Sequence, residues 1–140
     1  MDITISMDMP SSKVFDYYIA VTPADIDELG HVNNIVYLRW VQEAASAHWT
    51  QLSNDAINDK YAWVVMRHEI DYLQPALPGD ELIVKTWVGK NEGAKSERHT
   101  QLYNAAGGRK LAEAITTWCL LDALSKRPRR IEGDVLSLFI

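Results

Sequence analysis

Residues Asp25–Leu52 read DIDELGHVNNIVYLRWVQEAASAHWTQL. The second part of this stretch predicts one long helix over residues 34–52. Arg39, Gln42, Glu43, Ser46 and Thr50 recur at spacings of three and four and form a narrow polar face. Tyr37, Val41, Ala44, Ala45, His48 and Leu52 form an apolar one, widened by Val36, Trp40 and Trp49. A helix that is apolar round most of its circumference is largely buried. Asn33 or Asn34 suits the N-cap, where a side-chain oxygen accepts from an otherwise unpaired N–H. Residues 53–59, SNDAIND, read as the turn that ends the helix.

Strands surround it. Val14 to Val21 is aromatic and β-branched, and Thr22 and Pro23 close it. After the helix, WVVMRHEIDYL places Val64, Met66, His68, Ile70 and Tyr72 on one apolar face, interrupted only by His68. ELIVKTWVG, SERHTQLYN and LAEAITTWCLLD follow as strands, joined by QPALPGDE and by turns at GAK and AAGGRK. DVLSLFI closes the chain as a short helix or strand. The order is strand, helix, then four antiparallel strands. One buried helix on a curled sheet is an α+β architecture. So small a sheet leaves apolar surface that dimerisation would bury.

A length of 140 residues suggests one domain, residues 14–140, behind a lead of residues 1–13. Hydrophobic residues make up 47% and charged residues 24%, the balance of a globular protein. The net charge of −5 argues against nucleic-acid binding, which needs clustered cations. Lys126, Arg127, Arg129 and Arg130 are a local exception, read as a solvated loop or as a contact for phosphate or an acidic partner. Cys119 is the only cysteine, and its apolar surroundings suggest an inert buried thiol in a reducing, cytoplasmic setting. No apolar run is long enough to span a membrane.

The loop before the helix carries the chemistry. A helix N-terminus offers free N–H groups and a positive dipole end, fit for an anion or a carbonyl oxygen gaining charge. Gly30 permits a left-handed backbone. A carboxylate there can attack a carbonyl or activate water. Asp25, Asp27 and His31 could instead hold a divalent ion, but no second ligand cluster accompanies them and no metal is expected.

The pattern D-x-D-x-x-G-H-V-N-N-x-x-Y-L-x-W, from Asp25 to Trp40, resembles the hotdog-fold thioesterases. The 4-hydroxybenzoyl-CoA thioesterase-like and acyl-ACP thioesterase-like branches match it best. IDYLQPALPGDELIVKTW and TTWCLLDALSKRPRRI resemble the family's later strands. The resemblance implies a curled sheet wrapped round one helix, dimers or tetramers with sites at subunit interfaces, and an acyl-CoA or acyl carrier protein substrate. No cofactor is implied beyond the CoA of the substrate. Asp27 matches the acid used as nucleophile or general base, and the N–H near Asn34 matches the donor that polarises the thioester carbonyl. His31 matches a histidine of the acyl-ACP branch. Leu29 replaces an asparagine of that branch, and His31 replaces an apolar residue of the hydroxybenzoyl branch. Asn33 and Asn34 are thus the expected carbonyl site, and Asp25 and Gly30 its supports. A non-catalytic acyl-binding dimer is the alternative.

Other polar residues have plainer readings. Glu43 stands four residues after Arg39, as in an i,i+4 pair. His48 packs within the helix, and His99 reads as exposed. His68, Trp63 and Trp87 are candidate walls of an acyl pocket.

Overall fold

The computed structural model describes residues 13–140. The expected lead, residues 1–13, lies outside the described residues except for Lys13. Five strands are β1 Phe15–Ala20, β2 Tyr61–Tyr72, β3 Glu81–Glu92, β4 Lys95–Asn104 and β5 Lys110–Asp122. They form one antiparallel sheet in the order β1-β3-β4-β5-β2. The helix α1, Asn34–Leu52, lies on it, so the fold is the α+β hotdog arrangement expected. Its buried residues are Val36, Tyr37, Trp40, Val41, Ala44, Ala45 and His48, all from the predicted apolar face. Among the described residues no helix is long and apolar enough to cross a membrane.

SNDAIND departs from its expectation. Ser53 ends α1 by donating its N–H to the Trp49 carbonyl at 2.8 Å. A second helix, α2 Asp55–Lys60, then starts at once, because the Asn54 side chain accepts from the Ile57 N–H at 2.9 Å. The asparagines act as cap residues, and Ile57 is buried in the core. The closing segment is helical, α3 Gly133–Leu136 followed by a 3-10 turn, and it buries Val135 and Phe139.

The inner face of β2 is also corrected. Val65 pairs with Trp118 and Arg67 with Thr117, which leaves Met66 as a bulge. One extra residue reverses the alternation of side chains. Val64 and Met66 are therefore exposed, whereas Trp63 and Val65 are partly covered; His68 and Ile70 remain on the covered phase as expected.

The core falls into two clusters along α1. One packs Val36, Tyr37, Trp40 and Val41 against Leu82, Val84 and Leu102. The other gathers Ile57, Tyr61, Val88, Leu120, Ile131 and Phe139. Buried polar groups join them. The Arg98 guanidinium donates from Nη1 to His48 Nδ1 at 2.9 Å and to Thr86 Oγ1 at 3.1 Å. Phe15 stacks on the His48 ring, with centroids 4.9 Å apart. His48 is thus the packed helix residue expected.

Burial and the Arg98 charge push His48 down to about 4, so it is neutral in the fold. The unfolded chain takes up that proton as pH falls below ~6.5. The stability contribution of neutral His48 is therefore full above pH ~6.5 and is lost as pH falls towards about 4, by up to about 3 kcal/mol. His48→Gln, which keeps an acceptor for Arg98, is expected to flatten this part of the urea-unfolding profile between pH 7 and pH 4. Equal pH slopes in both proteins would refute the assignment.

Candidate active site

The loop from Thr22 to Asn33 is closed by its own backbone. Asp27 N–H donates to the His31 carbonyl at 2.7 Å, and Gly30 N–H to the Asp27 carbonyl at 3.1 Å. Gly30 has φ +78°, a left-handed conformation that side-chain-bearing residues adopt at a cost. Ile26 and Val32 bridge across the loop. Val32 N–H reaches the Ala76 carbonyl at 3.0 Å, and Ala76 N–H reaches the buried Tyr37 hydroxyl at 2.8 Å. The loop is thus tied to the first turn of α1 through a residue from the β2–β3 connection.

The two aspartates are separated by environment. Asp25 is buried, at 4% exposure. Its Oδ2 accepts from the Thr22 N–H at 2.9 Å and hydroxyl at 3.0 Å, and its Oδ1 from Arg39 Nη2 at 2.9 Å. Burial pushes this carboxyl up, but Thr22 and Arg39 outweigh it and hold it below the ordinary carboxylate value. Its backbone carbonyl also accepts from Asn33 N–H at 2.9 Å. Among the described residues no group of three or more His, Cys, Asp or Glu side chains is placed to hold a metal ion. Asp25→Ala is expected to cost about 1.5–3 kcal/mol, the range for hydrogen bonds to a charged group. Denaturant melts would show it; a change within ~0.5 kcal/mol, as at an ordinary surface site, would contradict it.

Asp27 is half-buried. Its Oδ1 accepts from Leu29 N–H at 2.9 Å and His31 N–H at 3.2 Å. Among the described residues, Oδ2 has no partner. His31 exposes its side chain on the same loop.

Asn33 is the N-cap: its side chain accepts from Ile35 N–H at 3.0 Å, and its carbonyl from Val36 N–H at 2.9 Å. The Asn34 N–H, at the head of a 19-residue helix, donates to no described acceptor. The loop therefore carries a carboxylate with an open oxygen, and the helix start into which it leads carries an open N–H at a positive dipole end. A carboxylate and an oxyanion donor are what attack on a carbonyl requires.

Other candidates lie elsewhere. Glu43 pairs with Arg39 at 3.4 Å, as its spacing implied. His68 meets Thr116 Oγ1 through Nδ1 at 2.9 Å and the Gln42 amide through Nε2 at 3.4 Å; burial holds it below the ordinary imidazole value. Trp87 stacks on His99, centroids 5.5 Å apart. His99 is thus partly covered, and the alternation of β3 puts Trp87 on the face opposite buried Thr86 and Val88. Trp63 lines a cavity near the C-terminal end of α1, away from Asp27.

The basic loop packs at the end of β5. Arg129 pairs with Asp122 at 3.1 Å and lies 4.7 Å over the Tyr61 ring, and Lys126 Nζ donates to the Ala123 carbonyl. Arg127 and Arg130 are exposed. This loop sits at the Tyr61 end of β2, whereas the Asp27 loop sits at the Tyr72 end, where Tyr72 donates to the Asn34 carbonyl. Twelve strand residues span roughly 36–40 Å, so a protomer's basic loop is remote from its own Asp27. Sequence reading missed the Arg39, Tyr37 and Tyr72 tethers. Helical spacing assigns Tyr37 and Arg39 to faces of α1, but their partners come from distant loops.

Residues 21–139 match the model of the thioesterase-like superfamily. The chain is 26% identical to the long-chain acyl-CoA thioesterase FadM of Escherichia coli (strain K12) over 125 residues, which cover 84% of this chain and 90% of FadM. A thioesterase of Thermus thermophilus, crystallised with coenzyme A and zinc, superposes with a TM-score of 0.80 at 26% identity, covering 94% of each chain. Slr0204 of Synechocystis, a 1,4-dihydroxy-2-naphthoyl-CoA thioesterase, shares the fold at a TM-score of 0.79 and 21% identity, covering 91% of this chain and 96% of its own.

Proposed function

The chain belongs to the thioesterase-like superfamily and is a thioester hydrolase, and we propose that it hydrolyses acyl-CoA at the Asp27 corner. What supports this is an open Asp27 Oδ2 on the loop that leads into the helix start, where the Asn34 N–H is also open. Asp27 Oδ2 either attacks the thioester carbon or takes a proton from a water that does. The carbonyl electron pair moves onto oxygen, where Asn34 N–H and the helix dipole stabilise it. The carbon–sulfur bond then breaks and the thiolate of CoA leaves: on the general-base route it takes the proton held by Asp27, and on the covalent route water then cleaves the acyl–Asp27 anhydride, which frees the acid, restores the carboxylate and supplies the proton. Removing one donor from such a site costs roughly 3–4 kcal/mol of barrier. His31 orients the water, Asn33 holds the helix start, and Asp25 and Gly30 shape the loop. The step asks for no cofactor beyond the CoA of the substrate. FadM, named for long-chain acyl-CoA, supports CoA as the carrier. The buried thiol of Cys119 suits a reducing cytoplasm. Thiol release from acyl-CoA by the purified chain tests the reading; no release from any chain length would end it.

The working unit in this reading is a dimer. β2 lies at the sheet edge, pairs only with β5 among the described strands, and exposes Val64 and Met66. Unpaired apolar edges invite another strand. Antiparallel pairing of two β2 edges puts each basic loop at the other protomer's Asp27 end, where Lys126, Arg127, Arg129 and Arg130 meet the CoA phosphates. Pairs of such dimers would give the tetramer. Met66→Asp is expected to halve the sedimenting mass and to raise KM at least 10-fold. An unchanged mass would remove the β2 edge as the interface.

A further inference from the structure

β2 ends at Tyr72, and the sheet fixes the backbone there. Tyr72 pairs with Ala112 on β5, and the next residue, Leu73, donates its N–H to the Leu111 carbonyl at 2.8 Å. The start of α1 is held less firmly. Helix ends fray, and Asn34 is the first residue of α1, exposed, with an N–H that donates to no described acceptor. An oxyanion donor is effective when it is already in place, because it then costs no reorganisation during the reaction. A group that ties Asn34 to the sheet therefore bears on the reaction.

Tyr72 is such a group. Its hydroxyl donates to the Asn34 carbonyl at 3.3 Å. In an α-helix that carbonyl already accepts from the N–H four residues on, so α1 does not need the hydroxyl to complete its own bonding. The bond is also long for a hydroxyl donor and belongs to a side chain on a residue 42% exposed, so it contributes little to stability. The ring is placed as well. It meets the buried Tyr37 ring edge-on, with centroids 5.3 Å apart. Tyr37 in turn accepts from Ala76 N–H, and the Ala76 carbonyl accepts from Val32 N–H on the Asp27 loop. Tyr72 thus touches the helix start directly and the loop through Tyr37 and Ala76.

We propose that Tyr72 is a positioning residue for hydrolysis, whose hydroxyl holds the first turn of α1 so that the Asn34 N–H meets the thioester oxygen as charge builds on it. The role rests on hydrolysis at the Asp27 corner. Tyr72 acts through Asn34, and its loss leaves the donor present but loosely placed. The cost is therefore smaller than the ~10²–10³-fold of a donor removed outright.

Tyr72→Phe keeps the ring and removes the hydroxyl. It is expected to lower kcat for a long-chain acyl-CoA about 10-fold while KM stays within about twofold, the pattern of an interaction made in the transition state. The Kd of a thioether analogue, in which a methylene replaces the carbonyl, is expected to stay, because a ligand without that carbonyl makes no use of the donor. Backbone ¹⁵N order parameters of Asn34 and Ile35 are expected to fall, and those of Ala44 and Ala45 further along α1 to stay. Tyr72 also ends the β2 edge, so sedimentation is run on both proteins and is expected to give one mass. A kcat equal to the parent's, unchanged order at Asn34, an equal loss of thioether affinity, or a fall in mass that accompanies the loss of rate would overturn the role, while thiol release by the parent still upholds the reaction. A parent that releases no thiol would overturn both.

Discussion

Asp27→Asn is expected to lower kcat/KM for acyl-CoA hydrolysis by roughly 10³-fold, within the range for a lost acid–base group, with the fold intact. The loop geometry explains why the two effects separate. Asparagine keeps a carbonyl oxygen for the Leu29 and His31 N–H donors that now meet Oδ1. Its amide nitrogen then takes the place of Oδ2, which has no described partner. Nothing buried loses a hydrogen bond, so stability should change by only about 0.5 kcal/mol or less. The amide, however, can neither attack a thioester nor accept a proton from water. Urea melts and initial rates on the same preparation check both halves. A variant that is as stable and as active as the parent would remove Asp27 from the reaction.

Trp40→Ala is expected to be the most damaging single change to the fold. Trp40 is 1% exposed, faces the sheet from the middle of α1 and meets the Tyr37 ring edge-on at a centroid distance of 5.4 Å. Truncating a buried tryptophan removes its transfer energy and leaves a cavity, together about 3–5 kcal/mol. For a domain of this size that is roughly a 10–20 °C fall in Tm. Because Tyr37 also holds Ala76, which holds Val32, the Asp27 loop should lose order as well. Calorimetry measures the first effect, and amide hydrogen exchange at Val32 the second. A fall of less than about 1 kcal/mol, the typical cost of an unselected substitution, would mean that the helix is not held as described.

What could be read from residues alone was what local pattern decides. The helix over 34–52 was legible because a cap residue and a 3.6-residue apolar period agree on it. The Asp27 loop was legible because its residue types are unusual together and match a family pattern. The phase of Val64 and Met66 was not legible, because the bulge at Met66 exists only in the pairing of β2 with β5. α2 was missed because asparagines that cap a helix have the same composition as those that end one. The division of roles between Asp25 and Asp27 was open in the sequence; burial against Arg39, 14 residues away, separates them. Arg98 could have been suspected from its parity with Ser96, Thr100 and Leu102 on β4, but its meeting with His48 depends on how α1 lies on the sheet.

Hydrolysis at the Asp27 corner is tested most directly by the rate of free CoA thiol release from a long-chain acyl-CoA. Catalytic release by the purified chain, many molecules per protomer, together with loss of that release in Asp27→Asn, is the expected result. Tight acyl-CoA binding with no thiol released beyond the uncatalysed rate would contradict it and leave a non-catalytic acyl-binding protein.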